Sequence, residues 1–199
     1  MNSLRGQGNL FPENTYLETN DPLPNRINLS KTILEAWQKR IHDFQYELFQ
    51  SDNNIPMQGS FFKSSYINKI DHLKPMELAP LPINFWRQQK SPHHGPAIYL
   101  VMDRPRNLDS YILLYVGETI AAQNRWKNYH DCKSYLDAYN DALGRVDLKS
   151  QISIRFWTDV PRKTTPRRKL EQILINRWLP PFNKESRGSW NTPFTSEIN

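Results

Sequence analysis

Two β-rich runs, AIYLVMD at 97–103 and YILLYVGE at 111–118, are separated only by the polar, proline-containing stretch RPRNLDS. Such a pair reads as an antiparallel hairpin, and it sets the kind of fold that the rest of the chain must complete. Centred near Asn107, the hairpin would place Tyr99 opposite Tyr115 on one face of the sheet. A cross-strand aromatic pair is a sufficient account of two such tyrosines, and Tyr111 reads as ordinary strand packing.

Downstream, IAAQNRWKNYHD and SYLDAYNDALG are helical in propensity, the second ending at Gly144. ISIRFWTDV reads as a third strand, and Thr164 or Thr165 with Pro166 opens a helix through RRKLEQILINRW that stops at Pro180 and Pro181. The order strand, strand, helix, helix, strand, helix predicts an α+β fold: a small, mostly antiparallel, three-stranded sheet flanked by helices.

This unit carries a helical and irregular N-terminal extension. Residues 1–28 are polar, contain Pro12, Pro22 and Pro24, and read as an arm with no assigned chemistry. Ser30 caps a predicted helix in which Ile33, Leu34, Trp37, Ile41, Phe44 and Leu48 form the docking stripe. Six prolines between 56 and 96 predict irregular wrapping, with Lys63, Lys69, Arg87 and Lys90 as a surface for a polyanion. The expected organisation is an arm at 1–28, an extension at 29–94, an α+β unit at 95–185 and a tail at 186–199.

Lys and Arg exceed Asp and Glu by 26 to 20, which favours a nucleic-acid partner. Cys132 is the only cysteine, so neither a disulfide framework nor a Cys-rich zinc site is available, which suits a reducing, cytoplasmic setting. No run approaches the length of a membrane span, and the N-terminus lacks the apolar core of a secretory signal. The expectation is a soluble protein.

Several polar residues are candidates for chemistry. Arg125 and Tyr129, four apart on one helical face, offer either a guanidinium fork for a phosphate or a surface arginine paired with Asp131 or Glu118. His130 is an outside candidate for an acid or base. Glu171 shares a helix stripe with Leu174, Ile175 and Trp178, so its carboxylate is either neutralised by a cation such as Arg168 or holds a metal. Asn183 follows a rigid proline pair and either serves a site or closes an Asx turn. Gly117 permits close approach of backbone or ligand. Arg162, Lys163, Arg167, Arg168 and Lys169 crowd the start of the Glu171 helix, where positive charge is unfavourable without an anion, and point to a DNA backbone.

Taken in order, AIY at 97–99, YVG at 115–117, Arg125, Tyr129, Glu171 and Asn183 resemble the motifs of the GIY-YIG nuclease superfamily over roughly residues 95–185. Ala97 stands where that family usually has its first glycine; Gly95 is nearby but is separated by Pro96. The resemblance implies a divalent-metal-dependent DNA endonuclease that hydrolyses phosphodiester bonds. Under it Glu171 would hold a single Mg²⁺ or Mn²⁺, and Arg125 would neutralise the scissile phosphate. Tyr99 and Tyr115 would converge on the attacking water, Tyr129 would support the phosphate or leaving side, and Asn183 would orient a neighbour or contact the site. Lys127 is a further cation for DNA or for lowering a phenol pKa. The family role would be DNA repair or processing, or restriction, by a monomer or homodimer. A catalytically silent nucleic-acid-binding module on the same fold is the alternative.

Overall fold

The hairpin forms, with a register different from the simplest one. In the computed structural model, which describes residues 29–50, 69–87, 93–127 and 130–193, strand β2 (Ala97–Asp103) pairs antiparallel with β3 (Ile112–Thr119). Tyr99 faces Gly117, and Val101 faces Tyr115. The pairing then shifts so that Met102 faces Leu113, leaving Leu114 as the extra residue of a bulge. Because side chains alternate with a period of two, the displacement keeps Tyr99 and Tyr115 on one face as diagonal neighbours.

The sheet has four strands rather than three, in the order β1-β4-β2-β3, with every pairing antiparallel. The additional strand, β1 (Leu81–Pro82), pairs with β4 (Ser153–Trp157) at the edge. It is too short for periodicity to reveal, and its proline is tolerated only because the strand is outermost.

Helices cover both faces, so every residue of β2 is buried. On one side Ala97, Tyr99, Val101, Ile112 and Leu114 meet α1 (Lys31–Gln50), α2 (Ala122–Lys127) and α3 (Asp131–Arg145) through Leu34, Trp37, Trp126, Leu136 and Tyr139. On the other, Ile98, Leu100, Leu113 and Val116 meet α4 (Thr164–Trp178) through Leu170, Leu174, Ile175 and Trp178. The bulge explains why Leu113 and Val116, three apart, lie on the same side.

Ser30 caps α1 through its Oγ, which accepts the Ile33 N–H at 3.3 Å. The docked face of α1 is rotated from the predicted stripe: Ile33 is 52% exposed and Phe44 39%, while Gln38, His42 and Gln45 are buried. Those amides are buried because they have partners. Gln38 Nε2 donates to Tyr139 Oη at 2.6 Å, and Gln45 both donates to Leu113 O (3.0 Å) and accepts from Leu113 N (2.7 Å).

Arg155 fastens the extension to the sheet, its Nη1 donating to the carbonyls of Pro75, Met76 and Leu78 at 3.1, 2.8 and 2.9 Å. At the end of α4, Leu179 adopts the left-handed conformation (φ 45°) and Pro180–Pro181 prevent continuation. The chain therefore turns back across β3, where Phe182 N donates to Leu114 O at 3.0 Å. Among the described residues, no helix is long and apolar enough to cross a membrane.

Candidate functional site

The site is built on the second half of β3. Gly117 lies directly across from Tyr99, and a Cβ there would collide with the Tyr99 ring and hydroxyl and lie 2.8 Å from Tyr115 Cε1. Only glycine lets the two tyrosine rings lie over this strand. Their centroids are 5.9 Å apart with planes 24° from parallel, and Trp126 meets Tyr99 edge-on at 5.6 Å.

The two tyrosines are not equivalent. Tyr115 is half-buried and lines a cleft of about 390 Å³ with Glu171, Asn183, Asp131, Tyr135 and Arg187. Tyr99 is fully buried beneath it. Tyr115 thus faces the cleft, while Tyr99 lies under it with its ring stacked on that of Tyr115.

Burial pushes both phenols well above their ordinary pKa, and for Tyr115 the Glu171 charge adds to the rise. Arg125 opposes the rise, since its exposed guanidinium lies close to both rings. The Tyr99 hydroxyl, buried beneath Tyr115, has no well-formed hydrogen bond among the described residues. Neither Asp131 nor Glu118 pairs with Arg125: no carboxylate lies within 4 Å of it among the described residues.

Glu171 reaches from α4 to β3, where its Oε1 accepts the Glu118 N–H at 2.9 Å. Burial, and then the Glu118 and Glu185 charges, lift its pKa to about 7 against the partial opposition of that hydrogen bond and of Arg168. Arg168 does not neutralise it, because its Nε is bonded to Glu118 Oε1 at 3.2 Å. Glu171 thus lacks a cation within ion-pair distance among the described residues. No group of three or more His, Cys, Asp or Glu suited to a metal occurs among those residues either.

Asn183 is spent on the backbone. Its Oδ1 accepts Val116 N–H at 2.9 Å and its Nδ2 donates to Val116 O at 2.8 Å, so the side chain acts as a one-residue strand on the open edge of β3. It fixes the residue next to Tyr115, using one of the amide's two N–H donors and one acceptor position of its oxygen.

The predicted basic surface divides. Arg167 is fully buried, its Nε bonded to Glu118 Oε2 at 2.7 Å and its Nη1 to the carbonyls of Pro161 and Arg162 at 3.0 and 2.9 Å. It is a structural cation and not a DNA contact; the anion that compensates charge at this helix start is Glu118, inside the protein. Arg162, Lys163, Arg168, Lys169 and Lys127 are exposed. Lys69 pairs with Asp159 at 2.6 Å, while Arg87 is exposed beside the Trp86 ring. Tyr129, Lys63 and Lys90 lie outside the described residues.

His130 is buried against the edge of Trp126, and desolvation with the nearby charges of Arg125 and Lys133 lowers its pKa to about 3. It is neutral at physiological pH and unsuited to supply a proton there. Sequence reasoning named Glu118 only as a partner for Arg125 and missed its bonds to Arg167 and Glu171, and it missed Gln45, Tyr135 and Arg187 altogether. Glu118 next to Gly117 had a local signal, whereas the others enter through tertiary contacts that spacing does not encode.

A scan of protein families and searches of curated proteins and solved structures return no match for this chain.

Proposed function

We propose that the protein is a divalent-metal-dependent DNA endonuclease of the GIY-YIG type, acting in DNA repair or processing, or in restriction. The observation that carries this reading is that residues 56 positions apart, Tyr115 and Glu171, line one cleft with Asn183 while Arg125 stands beside Tyr115. A packing role alone supplies no reason for an uncompensated carboxyl, a phenol and a guanidinium to meet there.

Glu171 fits a hard cation: it is an oxygen ligand without a cationic partner, crowded by two other carboxylates that raise its pKa. Mg²⁺ or Mn²⁺ held by this one carboxylate and by water would supply Lewis-acid stabilisation of the phosphate. Arg125 neutralises charge accumulating on the scissile phosphate. Tyr115, a neutral phenol, takes a proton from the attacking water while passing its own to a non-bridging phosphate oxygen, as the new P–O bond forms and the bond to the leaving oxygen, which is protonated from solvent, breaks. Its raised pKa makes a standing phenolate unfavourable, so the proton moves during attack and not before it. Tyr99 holds the Tyr115 ring from beneath, and Asn183 holds the strand. The resemblance assigns Tyr129 to the phosphate or leaving side.

The deep burial of Tyr99 gives a second reading its footing: a nucleic-acid-binding module without catalysis. A supercoiled-plasmid nicking assay with Mg²⁺, Mn²⁺ or EDTA separates the two. The nuclease reading expects metal-dependent nicking that Glu171→Ala and Tyr115→Phe reduce by at least 100-fold, a loss of about 3 kcal/mol or more of transition-state stabilisation. Wild-type protein that binds DNA with no metal-dependent nicking supports the silent module instead.

A further inference from the structure

Arg187 lies four residues beyond Asn183 and lines the same cleft as Tyr115 and Glu171. Its backbone N–H is anchored to Asn183 O at 2.9 Å, so the clamp on β3 also fixes where this side chain begins. The guanidinium packs over the Tyr135 ring, 5.5 Å from its centroid, and one nitrogen donates to the Tyr135 hydroxyl. No carboxylate lies within 4 Å of it among the described residues, although Asp131 and Glu185 line the same cleft.

This is a half-buried, oriented cation with donors to spare, and guanidinium is the side chain best shaped to take two oxygens of a phosphate. It is separate from Arg125, whose charge acts on Tyr99 and Tyr115 from α2. The cleft residue Tyr115 is what the two arginines have in common.

We propose that Arg187 is a second phosphate-binding residue, holding a non-scissile phosphate of the bound DNA strand while Arg125 holds the one that is cut. The proposal rests on the nuclease reading. A contact to a phosphate that does not react is made equally in the ground and transition states, so it belongs in KM and not in kcat.

The test compares wild type, Arg187→Gln, Arg187→Lys and Tyr135→Phe by steady-state cleavage of a short duplex with Mg²⁺. Salt dependence of duplex binding is measured without metal. Arg187→Gln should raise KM about tenfold or more with kcat within about twofold, because a charge-assisted hydrogen bond is lost. Its log K against log [salt] slope should be shallower by about one unit. Arg187→Lys should restore the slope but not all of the affinity, and Tyr135→Phe, which keeps the charge, should keep the slope.

Wild-type values of KM and slope in Arg187→Gln would overturn the proposal. So would a fall in kcat at constant KM, which would place Arg187 on the scissile phosphate, or an equal loss of slope in Tyr135→Phe, which would make the pair a structural brace. Each of these leaves the nuclease reading standing because wild type still cleaves. Wild type that neither cleaves nor binds DNA removes both.

Discussion

Glu171 is the residue whose protonation ties stability to function. Its folded pKa of about 7 lies above the ordinary value of 4.5. Between those values the native state keeps a proton that the unfolded chain has released, so stability falls as pH rises through that window. Below 4.5 the carboxyl contributes nothing, and above 7 its penalty is fully developed. Glu171→Gln can still accept the Glu118 N–H without carrying charge. Thermal melts should therefore show the variant matching wild type near pH 4.5 and melting higher at pH 8. Mg²⁺ or Mn²⁺ should raise the wild-type midpoint at pH 8 and leave the variant unmoved, since a ligand stabilises only the state that binds it. Equal midpoints at both pH values would show that the carboxyl is not destabilised by its site. At this scale the sequence was legible for Glu171, because a carboxylate on an apolar stripe is conspicuous. It was silent on Tyr99 against Tyr115, since which ring is buried depends on the bulge at Leu114 and on Trp126.

The element that organises the site is β3, an edge strand whose free side is covered by side chains instead of another strand. Gln45 makes paired bonds to Leu113 and Asn183 makes paired bonds to Val116, one on each side of the Leu114–Tyr115 bulge. Two amides thereby block the edge against pairing with another chain and hold Tyr115 in its offset position. Asn183→Ala leaves a buried N–H and C=O on Val116 without partners, which costs about 1–3 kcal/mol. Urea unfolding should show a loss of that size, accompanied by reduced nicking because Tyr115 is no longer fixed. Asn183→Ala with an unchanged urea midpoint would mean that water replaces the amide and the clamp is dispensable. Strand and helix identities were readable from β-branched runs, caps and prolines. The register, the two-residue β1 and the polar face of α1 were not, because each depends on a partner distant in sequence: Gly117 for Tyr99, Ile154 for Leu81, and Tyr139 for Gln38.

At the scale of the whole molecule, α1 belongs to the same core as the sheet that carries the site. Leu34 and Ile41 are fully buried and Trp37 nearly so, all in the cluster that contains Tyr99 and Trp126. A polar chain runs alongside: Gln38 donates to Tyr139, whose hydroxyl donates to Asp103 Oδ2 at 2.7 Å, linking α1 and α3 to the end of β2. Arg40 adds a bond to Trp190 O at 3.1 Å, joining α1 to the C-terminal turn. Deleting residues 1–68 would uncover the apolar face of β2 and β3, strip Gln45 from the edge strand and leave Tyr139 without the Gln38 amide. Such a fragment should show no cooperative thermal transition and should expose apolar surface to a hydrophobic dye. The point variant Trp37→Ala tests the same dependence in the full chain, where a cavity of that size costs about 3–5 kcal/mol by urea unfolding. A fragment that melts cooperatively at the full-length midpoint, or Trp37→Ala at wild-type stability, would place α1 outside the folding unit. If α1 is required as expected, the helix read from sequence as a docked extension is instead part of the support beneath the two tyrosines.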